Sequence, residues 1–149
     1  METIEKVKTM KTMKTINATK QELVDLINGL FQVQELKGKD FSLLVSKNIQ
    51  ILQKNLEKVQ KAGTPSEEFL ALAQQVNEIS NENAEDSQER IDKLEKENKD
   101  LVEGRKSQMS EVSEMLKEEV KLELHILPES FLPEDVTAKQ INNIIKIIE

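Results

Sequence analysis

The fold of this chain is decided by one stretch near its carboxyl end, Val120-Lys121-Leu122-Glu123-Leu124-His125-Ile126-Leu127. Apolar and polar side chains alternate there, which is the period of a half-buried β-strand. A single strand leaves its backbone N–H and C=O groups unpaired, so a second extended segment is required. The stretch therefore predicts a predominantly helical α+β module in place of a free coiled coil.

The partner strand is expected near the amino end, where Met13-Lys14-Thr15-Ile16-Asn17-Ala18 is short and partly β-branched. We predict a two-stranded sheet of residues 13–18 and 119–127. Residues 8–16 repeat a Lys-Thr-Met unit, and Met1, Met10 and Met13 could each start the protein. Residues 1–12 are therefore interpreted as a flexible basic extension, with a tail for an anionic partner as the alternative.

Three helices are predicted between the amino-terminal strand and the middle of the chain. Thr19-Lys20-Gln21-Glu22 is a capping box that begins a first helix, which runs to about Leu36. Asp40 can cap a second helix, and Gly63 is expected to end it as a left-handed cap residue. Thr64-Pro65-Ser66-Glu67 is a second capping box, with proline at the first helical position.

The third helix and the helix after it are predicted to form a charged, projecting antiparallel hairpin of residues 65–117. A polar stretch, residues 80–87, separates them and favours a turn. One unbroken helix of about 50 residues is the alternative. The second arm carries a heptad-like seam with polar residues in its middle, where we expect water: Ile91, Leu94, Asn98, Leu101, Arg105, Gln108, Val112 and Met115.

The end of the chain is predicted to close the core. Phe131 and Leu132 lie in a loop between two prolines and are expected to fill the core from it. Thr137-Ala138-Lys139-Gln140 is a third capping box. The buried face of the last helix is predicted to be Ile141, Ile144, Ile145 and Ile148, packed with helices one and two on the sheet. Residues 13–149 are thus predicted to be a single domain.

Composition narrows the classes of partner. The net charge is −7, so we expect no binding to nucleic acid and no attraction to anionic membranes. No apolar run is long enough to span a bilayer. Charged residues make up 33% of the chain and aromatic residues 3%, which suits solvent-washed helices better than a thick core. There are no cysteines, which excludes disulfides and thiolate chemistry.

The candidate residues for catalysis and metal binding lack the spacing and the neighbouring residues of known motifs. His125 is the single histidine and is expected on the exposed face of its strand. The stretch from Asn81 to Asp86 resembles a calcium loop but lacks its glycine and its bidentate glutamate. Lys37-Gly38-Lys39-Asp40 lacks the flanking residues of a phosphate loop. We therefore predict a non-enzymatic protein without catalytic, cofactor-binding or metal-binding residues.

What remains is a surface for a protein partner. The candidates are an apolar patch near the strand edge and a long groove that the polar-centred hairpin offers to a partner helix. The seam is also expected to support self-association, with Asn98 fixing its register. The candidate partner surface consists of Ile91, Leu94, Asn98, Leu101, Val112, Met115, Leu127, Phe131 and Leu132.

Four stretches appear in a characteristic order between about Lys14 and Glu149: Lys-Thr-Ile-Asn-Ala, Gly-Lys-Asp-Phe-Ser, Glu-Val-Lys-Leu-Glu-Leu-His-Ile-Leu-Pro and Leu-Pro-Glu-Asp-Val-Thr-Ala-Lys-Gln-Ile. In these stretches and in the order of its elements, the chain resembles a group of small uncharacterised tailed-bacteriophage proteins. The Met-rich segment before Lys14 departs from it. The resemblance implies a phage accessory protein in the host bacterial cytoplasm or the virion. We expect a role in virion or tail assembly or structure. The alternative is an inhibitor of a host defence system that blocks a surface or binds a small molecule.

Overall fold

The computed structural model describes residues 12–149, which form two strands, seven α-helices and two short 3₁₀ turns. The strands are β1 (Met13–Thr19) and β2 (Glu119–His125). The 3₁₀ turns are Glu129–Phe131 and Ile145–Ile147. The helices are α1 (Lys20–Val33), α2 (Lys39–Asn55), α3 (Glu57–Gly63), α4 (Glu67–Glu82), α5 (Ser87–Glu97), α6 (Lys99–Leu116) and α7 (Ala138–Asn143).

The two strands pair antiparallel, which confirms the sheet predicted from their alternating pattern. Thr19 lies opposite Glu119 at one end of the ladder, and Ile16 lies opposite Leu122 in its middle. Ile16 is buried on the face that α1 and α2 cover, together with Leu124, which is fully buried. The other face carries most of the polar residues of both strands, as a half-buried strand requires.

Strand β2 ends at His125, two residues earlier than predicted, because Leu127 takes a different partner. Leu127 forms a parallel bridge with Ile148. Its N–H donates to the carbonyl of Ile147 at 2.7 Å, and its carbonyl accepts from the N–H of Glu149 at 3.1 Å. The last residues of the chain thus pair with the extension of β2, a contact that the sequence did not predict.

The first capping box is confirmed at Thr19, whose hydroxyl accepts from the Glu22 N–H while the Glu22 carboxylate accepts from the Thr19 N–H. Lys146 also donates to Glu22, with Nζ 2.9 Å from Oε2. This bond, with the one from Thr19, holds the pKa of Glu22 below its usual range. Through Glu22, the cap also ties the start of α1 to the carboxyl-terminal turn. At its other end, α1 stops at Val33 rather than at about Leu36.

Helix α2 differs from its prediction at both ends. Gly38 rather than Asp40 is the capping residue, with a φ of 146° that favours glycine. The predicted continuous helix to Gly63 breaks at Leu56, whose side chain stays in the core. Just before the break, Asn55 donates from its amide to the carbonyl of the residue four positions earlier, a local bond that competes with helix propagation.

The predicted second capping box is wrong in its register. Ser66, not Thr64, caps α4, since the Ser66 side chain accepts from the N–H three residues later. The Thr64 hydroxyl turns back and donates to the carbonyl of Gln60 at 2.9 Å. Pro65 therefore precedes the helix instead of opening it. Gly63 is the last residue of α3 and has no left-handed φ, so its predicted role is also wrong.

The last helix is shorter than predicted, although its capping box at Thr137 is confirmed. Helix α7 ends at Asn143, and a 3₁₀ turn follows. Because 3₁₀ side chains repeat every three residues, Ile144 and Ile147 are buried at 0% and 1% exposure. Ile145, predicted to be buried, is 53% exposed.

The described residues divide into two compact units, of residues 12–57 with 116–149 and of residues 58–115. The predicted extension 1–12 lies, except for Thr12, outside the described residues. The first unit, called the sheet unit below, holds the main core, which is aliphatic apart from one phenylalanine. That core consists of Ile16, Ala18, Leu23, Leu26, Ile27, Leu30, Val33, Phe41, Val45, Ile49, Leu52, Leu56, Leu124, Leu127, Ile144 and Ile147.

Two helical glycines give a testable contrast in packing. A Cβ on Gly29 would lie 2.8 Å from the carbonyl oxygen of Asn143, whereas a Cβ on Gly104 would meet nothing within 4 Å. Alanine gains about 1 kcal/mol of helix propensity over glycine at either site. We expect Gly104→Ala to stabilise by about 0.5–1 kcal/mol. Gly29→Ala should destabilise by about 1–2 kcal/mol because overpacking outweighs propensity.

Chemical denaturation of the two variants beside the unchanged chain measures this contrast. Equal stabilisation by both substitutions would show that α1 and the end of α7 do not pack as closely as the structure places them.

Candidate functional site: a groove on the helical hairpin

Residues 58–115, called the hairpin unit below, reverse direction between α4 and α5. Asn83 ends α4 in the left-handed conformation, with φ 49°. Ser87 then closes the turn, since its hydroxyl donates to the carbonyl of Ile79 at 3.1 Å and accepts from the N–H of Ala84 at 2.9 Å. The chain therefore forms the predicted hairpin and not one unbroken helix.

The returning arm is interrupted at Asn98, between α5 and α6. The Asn98 side chain is half-buried and donates to the carbonyl of Leu94, one turn earlier in its own arm, at 2.9 Å. Its amide is thus engaged within the same arm. The predicted role of Asn98 in fixing the register of a self-associated form stays a prediction.

The polar middle of the seam is bonded rather than wet, contrary to the prediction. Arg105 donates to the carbonyl of Gly63 at 2.8 Å, and its guanidinium lies 5.6 Å from the centre of the Phe69 ring. Gln108 donates to the carbonyls of Ala62 at 2.8 Å and Thr64 at 2.6 Å. These contacts hold α6 against the end of α3, the loop after it and the start of α4.

The nine residues predicted as a partner surface are divided between the two units. Those on the hairpin unit, Ile91, Leu94, Asn98, Leu101, Val112 and Met115, are half-buried or, for Val112, buried. The other three belong to the sheet unit. Leu127 is fully buried, and Leu132 packs partly against the core. Phe131, predicted to fill the core, is 36% exposed.

The hairpin unit instead presents a groove of about 700 Å³ along α4. Leu72 forms its buried floor, and Ala73 and Asn77 lie exposed along it. Across the groove, the returning arm contributes Glu95 and Val102. The full lining is Phe69, Leu72, Ala73, Gln74, Val76, Asn77, Ser80, Glu95 and Val102.

The groove follows from the shape of a helical pair. Two helices cover only part of each other's apolar stripe, and a core-facing stripe in a globular protein is wide. Phe69 and Val76 line the groove and stay half-buried. Ala73, between them, is too small to fill the space.

Candidate chemistry outside the groove is sparse. His125 lies on the outer face of the sheet, as predicted, but is half-buried rather than exposed, and its backbone bonds to the side chain of Asn48. Over residues 12–149 there is no group of three or more His, Cys, Asp or Glu residues that could hold a metal ion. None of the helices in this range is long and apolar enough to cross a membrane.

Comparison with known proteins gives no relative from which a role for the groove could be inferred. No protein-family model matches the chain, and no curated protein or solved structure is significantly similar to it.

Proposed function

We propose that this chain is a non-enzymatic bacteriophage accessory protein that acts by binding another protein. The observation that carries the proposal is the apolar groove of the hairpin unit. Helix-in-groove recognition uses such a channel, because an amphipathic helix can lay its apolar face into it. Helix α4 and the returning arm would form two sides of a three-helix arrangement, and the helix of the partner would form the third.

The lining of the groove suits this role energetically. Phe69, Val76 and Val102 are half-buried and would each lose further apolar surface to a docked helix. Full burial of such side chains is worth about 1.5–3 kcal/mol each, so their partial burial contributes a smaller share. Polar residues at the rim, such as Asn77 and Ser80, can bond to the partner and set its orientation.

The assignment to a phage rests on the resemblance described above, and the role we favour is in virion or tail assembly. Inhibition of a host defence system is the second candidate, because its mechanism would also be to cover a surface of another protein. Mass spectrometry of purified particles separates them, since an assembly component that stays in the virion is found there and a defence inhibitor is not.

Site-specific crosslinking tests the groove directly. A photoreactive side chain at position 73 should capture a phage or host protein during infection, because Ala73 is exposed and lines the groove. Position 71 is the matched control, since Ala71 is exposed on the same helix and does not line the groove. We expect a discrete adduct at position 73 that position 71 forms at most weakly. Equal adducts at both positions, or none at either, would contradict the proposal.

A further inference from the structure

The negative charge of the chain is concentrated on the unit that carries the groove. Residues 58–115 contain eight Lys and Arg and fourteen Asp and Glu, for a net charge of −6. Residues 12–57 and 116–149 together contain ten Lys and Arg and twelve Asp and Glu, for a net charge of −2. A field of this size attracts positively charged partners and repels another copy of the same unit.

Several cations of the hairpin unit are already engaged. Arg90 pairs with Glu82, Lys99 lies 3.8 Å from Glu103, and Arg105 donates to backbone and to Gln108. The charged residue in the lining of the groove, by contrast, is Glu95. Its exposed carboxylate has no ion-pair partner among residues 12–149. The groove therefore offers an apolar floor with an uncompensated negative charge beside it.

We infer that the occupant of the groove is a basic amphipathic helix of another protein, with Lys or Arg flanking an apolar stripe. This inference rests on the proposed function and adds the charge of the partner. The apolar stripe packs on Leu72, Val76 and Val102, and a basic side chain pairs with Glu95. A second copy is disfavoured because two units of net charge −6 would have to meet.

Two model helices test the charge of the partner. Both are peptides of about 18 residues, which is long enough to follow α4 at 1.5 Å per residue. They share one leucine stripe and differ in their flanks, which carry Lys in one and Glu in the other. Binding to the full chain is measured by fluorescence anisotropy at physiological salt. We expect the Lys peptide to bind at least about tenfold more tightly.

Matched substitutions locate the binding. Ala73→Trp fills the groove and should weaken the Lys peptide at least about tenfold, whereas Ala71→Trp on the same helix should leave it unchanged. Glu95→Lys should weaken binding about tenfold. Glu97→Lys, which changes the net charge equally at an exposed position outside the lining, should weaken it no more than about twofold.

The outcomes separate the inference from the proposed function. If the Glu peptide binds as well as the Lys peptide and Ala73→Trp blocks both, the groove binds helices and the inferred charge is wrong. If Ala73→Trp changes nothing, or neither peptide binds, the groove is not a helix site and both fail. Sedimentation showing a dimer that Ala73→Trp disrupts would make the occupant a second copy and overturn the inference.

Discussion

Deletion of residues 137–149 is expected to unfold the sheet unit rather than to shorten it. The deletion removes Ile144 and Ile147, which are buried and worth about 1.5–3 kcal/mol each. It also leaves Leu127 without the partners of its N–H and carbonyl. Since typical domains are stable by about 5–15 kcal/mol, this loss is a large share of the total. Amide hydrogen exchange of Leu124 should lose its protection.

Two substitutions show whether the effect comes from packing. Ile144→Ala should cost about 2–5 kcal/mol, as for other buried aliphatic residues cut to alanine. Ile145→Ala, one position on, should cost less than about 0.5 kcal/mol because Ile145 is half exposed. A truncated chain with unchanged melting and exchange would mean that the carboxyl terminus does not hold the sheet unit together.

The parts of the fold that the sequence predicted are those fixed by local physics. The alternation from Val120 to Leu127 can be read without knowledge of distant residues, and so can the capping boxes at Thr19 and Thr137. Each depends on side chains at most a few positions apart. The pairing of β1 with β2 could be added because a strand must have a partner.

The parts that were missed depend on tertiary contacts. The change from α to 3₁₀ geometry at Ile144 accompanies the pairing of Ile147 and Glu149 with Leu127, which lies far away in the chain. Ser66 instead of Thr64 caps α4, and the backbone carbonyls near Gly63 accept hydrogen bonds from the distant side chains of Arg105 and Gln108.

A groove for a partner helix was predicted on the hairpin, but its lining on α4 was missed for a related reason. Its apolar spacing on α4 is the same spacing that a buried helix face would show. Whether that face is buried or left open as a groove depends on how many helices pack against it, and residue spacing alone does not show that number.

Asn48 is the residue whose structural role was least expected. It interrupts the apolar stripe of α2, between Val45 and Leu52, and is fully buried. Its amide donates to the carbonyl of His125 at 2.9 Å, and its amide oxygen accepts from the His125 N–H at 2.8 Å. One side chain thus pairs with β2 as a neighbouring strand would, on the edge that later bonds to the carboxyl terminus through Leu127. The sequence signal was a polar residue at a core spacing.

Replacement of Asn48 by alanine is therefore expected to destabilise the sheet unit by about 2–4 kcal/mol, because a buried backbone donor and acceptor both lose their partner. Asn48→Leu, which keeps the volume, should also destabilise, since packing cannot replace the two bonds.

Asn55→Ala is the matched control: Asn55 is exposed on the same helix, its amide bonds only locally to Ile51, and the change in helix propensity is the same. Chemical denaturation should leave Asn55→Ala within about 0.5 kcal/mol of the unchanged chain. If Asn48→Leu proved as stable as the unchanged chain, the contact between α2 and β2 would be a matter of packing, and the bonds to His125 would add no net stability.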